Sequence, residues 1–439
     1  MPEDVAATDA LEDGHERNVD PVEVGAKIYR DHGLNLEDID DDAIKVVSRL
    51  NRYGFQAYMV GGCVRDLLCG LKPKDFDIAT SATPRQIKRL FSNSRIIGRR
   101  FRLVHIHFGH HILEVSTFRS IAPKVEGEDL LIRRDNVFGR ADEDAQRRDF
   151  TINALFYDAE NHEVIDFVGG MKDLRRRRIE IIGDPETRLR EDPVRMLRAA
   201  KFAGRLDFEL ADDLFDGIRE VREDLRKCAP PRLYEEVQRL LGRGGAEGAF
   251  EVLYDTRLLD VLLPEIYDLV ESEDFEIDGQ VISPSRAFWS GLKALDRLER
   301  EGRDVSSITK LGVLFCHMFD RSLQHQGPLP RGRGAAALDL SVVAEDQLRP
   351  LSMRLQIPRR ELYRLKQILL ALRRLIAHPI TKTKQSGRKK PSPAQFMKKE
   401  YFPDSFRLFQ IYSKSCGRWQ GEVAEWERRF EDIHGHKFL

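Results

Sequence analysis

A chain of 439 residues, 41% hydrophobic and 33% charged, can bury more than one core and sits at the charged end of soluble proteins. No apolar run approaches the ~18 residues of a membrane span and the first 30 residues lack a signal peptide's apolar core, so membrane and secreted classes are excluded and a cytoplasmic protein is expected. Cysteines 63, 69, 228, 316 and 416 are scattered without a C-x-x-C pair, which excludes a disulfide framework or a structural zinc site; the net charge of −1 conceals strong local asymmetry.

Residues 1–25 carry eight acidic residues against Arg17, so an acidic, largely disordered tail is expected over residues 1–38. DIDDDAIKVVSRLNRYGF then reads as a capped amphipathic helix, with Ile44, Val47 and Leu50 at helical spacing. QAYMVGG is a short buried strand, VRDLLCGL a helix ended by glycine, and DFDIAT a second strand. ATPRQIKRLF is a helix with Pro84 in its first turn. IIGRRFRLVHIHFGHHILEVSTFR predicts a hairpin turning near Gly109, and NALFYD and EVIDFVGG two further strands.

From EDPVRMLRAAKFAG onward the periodic segments are helical, and TKTKQSGRKKPSP is a basic break between the last two. The expected fold is therefore α+β: a head with a mixed β-sheet over 39–182, followed by an all-α neck over 183–265 and a helical body over 266–380. A basic linker and a C-terminal helical region would occupy 381–439. Residues 354–390 hold twelve Lys or Arg against Glu361, a local charge near +11 (twelve minus one) that suits a polyanion or a solvated helix face.

The chemistry centres on VGGCVRDLLCGLKPKDFDIAT, residues 60–80. Two residues apart on a strand, Asp75 and Asp77 would project from one face. Paired carboxylates repel unless a cation lies between them, and Mg²⁺ is held by one or two carboxylates plus substrate phosphates. Gly61 and Gly62 let a phosphate approach the backbone, with Arg65 placed for the same anion. The pattern is neither G-x-G-x-x-G nor a P-loop.

GG-x-VRD-x-L followed by D-x-D resembles the nucleotidyltransferase branch shared by bacterial poly(A) polymerases and class II CCA-adding tRNA nucleotidyltransferases. The likeness continues through RRDFTINALFYD (147–158), DFVGGMKDL (166–174) and REDPVRMLRAAKFA (190–203), covering roughly residues 32–265 well. It implies a nucleotidyltransferase head over 39–182, an RNA-binding C-terminal region over 381–439, and templateless addition of nucleotides to an RNA 3′ end with release of pyrophosphate. Two Mg²⁺ ions (Mn²⁺ as a substitute) held by Asp75 and Asp77, ~4 Å apart, would clamp the attacking and leaving oxygens. A third carboxylate is expected from Asp149, within the RRD motif, or from Glu114 on a neighbouring strand.

By the same resemblance Arg147 and Arg148 would contact the triphosphate or ribose, and Asn153 the local turn or the sugar. Asp192 and Arg195 would read the Watson–Crick edge of the incoming base, accepting A and C and refusing G and U. Arg198 would extend that face toward phosphate, supported by Arg232 and Glu235. The cluster His105, His107, His110 and His111 has no acidic partner at ligand spacing, so ordinary hairpin histidines are expected.

Two features favour the poly(A) polymerase branch: IIGRRFRLVHIHFG (96–109) and the lead-in HGLNLEDIDDDAIKVVSRL. The expected activity is AMP transfer from ATP, with CCA-, A- or C-adding activity on tRNA as the alternative. Expected partners are ATP, RNA 3′ ends of mRNA, small RNA or tRNA, and proteins of RNA degradation or RNA-chaperone type. Cys63 departs from the small residue usual at its position. The basic C-terminal tail typical of the family is replaced by FEDIHGHKFL, leaving Arg359, Arg360, Arg373, Arg374, Arg388, Lys389 and Lys390 as the expected RNA track.

Overall fold

The computed structural model describes residues 17–98, 102–109, 111–120, 137–277, 280–325, 340–377 and 393–438. The chain divides into one unit of Met1–Arg195 with Phe208–Glu220, and a second of Met196–Asp207 with Val221–Leu439.

The first unit is built on an eight-stranded mixed sheet. Its strands are β1 (Lys27–Tyr29), β2 (Ala57–Val60), β3 (Asp77–Thr80), β4 (Ser94–Ile97), β5 (Leu103–Phe108), β6 (His111–Thr117), β7 (Leu155–Asp158) and β8 (Glu163–Asp166). They are ordered β1-β8-β7-β2-β3-β6-β5-β4, and only β3 and β6 run parallel. Both sheet faces are covered, as the strand alternation requires. Met59, Leu155 and Val164 enter one apolar cluster while their neighbours Val60, Phe156 and Ile165 enter the other. The helix Asp41–Arg52 packs on the first cluster through Ala43, Val46, Val47 and Leu50, and Asp40 caps it by accepting from the Asp42 and Ala43 amides. Thr83 and Gln86 form a capping box on Pro84–Leu90.

Three readings of this unit are corrected. Residues 27–29, assigned to a disordered tail, form β1 and pair with β8. Asp75 lies before β3, which begins at Asp77, so the two aspartates do not share one strand face. The hairpin gains a third strand, β4, although residues 99–101 and His110 lie outside the described residues.

The second unit is helical apart from the short pair Phe275–Ile277 and Gln280–Ile282. Its helices pack closely where glycine permits. A Cβ on Gly204 would stand 2.3 Å from the Gly245 carbonyl, and one on Gly312 2.7 Å from Leu408. Asp296, 2% exposed, caps the helix Ala246–Asp255 from the neighbouring helix by accepting from the Ala246 and Glu247 amides at 2.8 Å. The helix Leu340–Leu355 was not anticipated, since Pro350 interrupts its pattern. Gly417 and Trp419, both left-handed, split the last helix into Phe402–Cys416 and Gln420–His434.

Much of the basic stretch is committed to the fold. Arg354 pairs with Glu265 at 2.7 Å, Arg364 with Asp404 at 3.5 Å and Lys366 with Glu345 at 2.8 Å. Arg374 lies 3.9 Å over the Phe396 ring. Arg388, Lys389 and Lys390 lie outside the described residues. Among the described residues no helix is long and apolar enough to cross a membrane.

Candidate active site

The backbone between β2 and the helix Gly62–Leu68 turns at Gly61, whose φ of 77° and ψ of −126° suit glycine alone. A Cβ there would meet Arg148 Nη1 at 3.0 Å. Gly61 therefore lets the Arg148 guanidinium lie against the strand end. Gly62 opens the helix, its missing Cβ 3.6 Å from Arg65 Nη2.

Sheet register brings the acidic residues to that edge. Asp77 stands opposite Val60 on one side and opposite Glu114 on the other, across the parallel β3–β6 pair. Residues opposite each other in adjacent strands share a face, so the two carboxylates point the same way. Asp77 is reachable by solvent yet set among many heavy atoms. That burial, then the Glu114 charge, with Asp75 adding and Arg148 opposing, pushes its carboxyl up to about 6. Excess negative charge of this kind fits a divalent cation. Asp75 itself is exposed, with Lys74 Nζ 3.9 Å away. Glu114 also meets His105 Nε2 at 3.2 Å.

Asp149 is buried and held locally. Its Oδ1 accepts from the Phe150 amide at 2.8 Å and from Asn153 Nδ2 at 3.1 Å. It is among the charges that Arg195 feels. Arg65, expected on the phosphate, is 2% exposed and donates inward to Asp66 at 2.9 Å and to Asn153 Oδ1. Its position holds Asn153 rather than an anion. Arg148 is the cation left at the strand end; it pairs with Asp144 at 2.9 Å and donates to the Asn153 carbonyl at 3.2 Å. Arg147 lies 3.8 Å from the same Asp144.

Asp192 occupies the break between the helices Pro185–Glu191 and Val194–Leu206. Arg195, one turn on, is 6% exposed and donates to the Arg188 carbonyl at 2.6 Å, with Glu191 at 3.6 Å. Burial, then Arg188, lowers its hold on its proton, while Asp192, Asp149 and Glu191 oppose. Arg198 belongs to the second unit, 6.0 Å from the Phe202 ring. There Glu235 pairs with Arg239 at 2.5 Å, and both Glu235 and Arg232 are exposed.

Sequence reading missed Arg188, which ties the site together. It donates to the carbonyls of Arg147, Arg148 and Ile182 at 2.9, 2.8 and 3.1 Å and pairs with Glu191. No local pattern marks an arginine whose partners lie some forty residues away. In the second glycine pair, Gly170 serves packing. Asp166 accepts from the amides of residues 168–171 between 2.8 and 3.1 Å, and a Cβ on Gly170 would collide with the Thr151 carbonyl at 2.3 Å.

The hairpin histidines also differ from expectation. Asp40 and Asp42 bring carboxylates to His111, ligand atoms within 4.8 Å of one another, a group able to hold a metal ion. The fold, not sequence spacing, supplies those acids. Asp75, Asp77 and Glu114 do not appear as such a converged group among the described residues.

Residues 57–180 match the family described as Poly A polymerase head domain, and residues 207–269 that described as Probable RNA and SrmB- binding site of polymerase A. The chain is 47% identical to Poly(A) polymerase I of Salmonella typhimurium over 243 residues, 54% of this chain and 52% of that protein. It thus spans about half the length of such relatives. Poly(A) polymerase I of Haemophilus influenzae is 34% identical over 415 residues, 92% of this chain and 87% of that protein. Among solved structures, the Bacillus stearothermophilus CCA-adding enzyme in complex with CTP matches with a TM-score of 0.63 and 25% identity, covering 89% of this chain and 82% of that one.

Proposed function

Since the chain belongs to the family of poly(A) polymerases and CCA-adding nucleotidyltransferases, we propose that it adds AMP from ATP to RNA 3′ ends without a template, releasing pyrophosphate. The observation that carries this reading is the register of Asp77 against Glu114 beside Gly61 and Arg148. Asp77 and Glu114, with Asp75 reaching in from its loop, would hold Mg²⁺, or Mn²⁺ in its place. When bound, two such ions lower the pKa of the attacking 3′-hydroxyl and neutralise the leaving pyrophosphate.

The chain's own groups do the rest. Gly61 leaves room at the strand end for Arg148, whose fixed fork would meet the phosphate oxygens. Arg147 flanks it, while Asn153, held by Arg65, would orient the ribose. Asp149 braces Asn153 and shares the surroundings of Arg195. Asp192 and Arg195 would read the base edge, and Arg198 would add a phosphate contact. The long Haemophilus alignment, which runs through the helical part, favours poly(A) over CCA addition. CCA addition is the second reading, supported by the fold match to the CTP-bound enzyme.

The RNA-binding family matched by residues 207–269 supports RNA and a partner of the kind that description names. We place the protein in the cytoplasm on the same reading. Primer extension tests the proposal, using purified protein, Mg²⁺ and each nucleoside triphosphate singly, with an unstructured RNA and a tRNA lacking CCA as primers. A long ladder with ATP on the unstructured RNA supports poly(A) polymerase. Addition confined to tRNA and stopping at CCA assigns the second reading, and no addition to either primer overturns both.

A further inference from the structure

The helix Phe402–Cys416 places Arg407, Gln410 and Lys414 at helical spacing along one face. They line a cavity of about 280 Å³, several times the ~30 Å³ share of a water molecule. Arg303, on the chain just beyond the helix Pro284–Arg300, and Phe438 complete the wall used here. Arg407 is 9% exposed, donates to Gln410 Oε1 at 3.0 Å and lies 5.0 Å over the Phe438 ring. Among the described residues neither Arg407, Arg303 nor Lys414 forms an ion pair.

The cavity's carboxylates, Glu301 and Glu427, are engaged by neighbours in the same wall. Glu301 pairs with Arg297 at 2.7 Å, and Glu427 accepts from Gln410 at 2.7 Å. Arg297 first, with Arg303 and Lys414 adding, holds the Glu301 carboxyl below its ordinary range. Burial, then Arg303, lowers the hold of Arg407 on its proton, with Glu427 opposing. Arg407 is buried with no carboxylate in ion-pair contact among the described residues, Glu427 acting on it only at longer range, so an entering anion stabilises the guanidinium.

We propose that Arg303, Arg407 and Lys414 form a phosphate subsite in the helical unit, whose ligand is a phosphodiester group of bound RNA or a free phosphate. Phe438 fixes the plane of the Arg407 fork, which offers two parallel donors, and the two exposed cations approach from the open side. In its RNA form the inference rests on the activity proposed above; phosphate binding itself does not.

The test uses the full chain and the double variant Arg303→Gln/Lys414→Gln, whose side chains are exposed, so folding is retained and checked by Tm. One arm measures the affinity for a labelled oligo(A) between about 50 and 200 mM salt; each lost contact should shrink the ratio of affinities roughly threefold. The other arm reads the rise in Tm with inorganic phosphate at constant ionic strength, which the variant should lose. Arg407→Lys, keeping the charge without the fork, should weaken whichever arm responds. A loss in the RNA arm assigns the ligand to RNA, and a loss in the phosphate arm alone assigns free phosphate. No change in either arm overturns the subsite. A chain that binds RNA here yet transfers no nucleotide would overturn the activity and leave the subsite standing.

Discussion

Asp77 and Glu114 are register partners on the only parallel strand pair of the head sheet, and Glu114 is the charge that acts most strongly on Asp77. The raised Asp77 carboxyl makes their repulsion measurable. In metal-free protein the folded state holds a proton on Asp77 up to about 6, whereas the unfolded chain releases it near 3.8. The native state binds the excess proton, so this group's contribution to stability falls as pH rises from about 4 to above 6. Asp77→Asn should therefore raise Tm by a few degrees in EDTA at pH 7 while abolishing nucleotide transfer and sparing RNA binding. Mg²⁺ should stabilise the natural protein and not the variant. Unaltered transfer, or a lower Tm in EDTA, would remove the metal assignment.

The third carboxylate can be separated by the same thermal readout. Glu114→Gln should abolish Mg²⁺-dependent stabilisation and lower transfer by orders of magnitude, because it removes the charge facing Asp77. Asp149→Asn should leave the Mg²⁺ response intact and instead raise KM for ATP, because Asp149 supports Asn153 and the Arg195 surroundings. If the two variants exchange these behaviours, the ligand is Asp149.

Sequence exposed the local part of this arrangement and hid the rest for a physical reason. Gly61, Asp77 and the flanking strand and helix are written within twenty residues, where periodicity and backbone rules act. That Glu114 stands beside Asp77 depends on which strand lies next to β3, a matter of sheet order across some forty residues. Arg65 looked like an anion contact because sequence cannot distinguish an arginine turned inward to Asp66 and Asn153 from one facing solvent. Charge counting over the basic stretch likewise cannot separate Arg354, Arg364 and Lys366, which have partners in the fold, from Arg359 and Arg360 of the expected RNA track, which are exposed.

His317 supplies a pH dependence away from the site. It is 7% exposed, 3.0 Å from Ser415 Oγ, and burial pushes its imidazole down to about 4. The unfolded chain takes up a proton near 6.5, which the folded state refuses until about 4. Stability should therefore be lost as pH falls through that window, by roughly 3 kcal/mol at its foot. Urea denaturation between those pH values would show the slope, and His317→Gln should flatten it. An equal slope in the variant would mean that other groups carry the effect.

Nucleotide choice tests the break between the helices Pro185–Glu191 and Val194–Leu206. Arg195 is buried, its chain held by the Arg188 carbonyl and its charge offset by Asp192, Asp149 and Glu191. A guanidinium so fixed is suited to discriminate between base edges, since a good bidentate contact is worth about 1–3 kcal/mol. Arg195→Ala should therefore cut the preference for ATP over GTP about tenfold or more in single-nucleotide extension, with RNA affinity unchanged. Arg195→Lys keeps the charge but loses the fork, so it should lose selectivity while retaining more stability than the alanine variant. Undiminished ATP preference in both variants would leave Arg195 as a bolt between Arg188 and Glu191, and base reading would have to come from elsewhere.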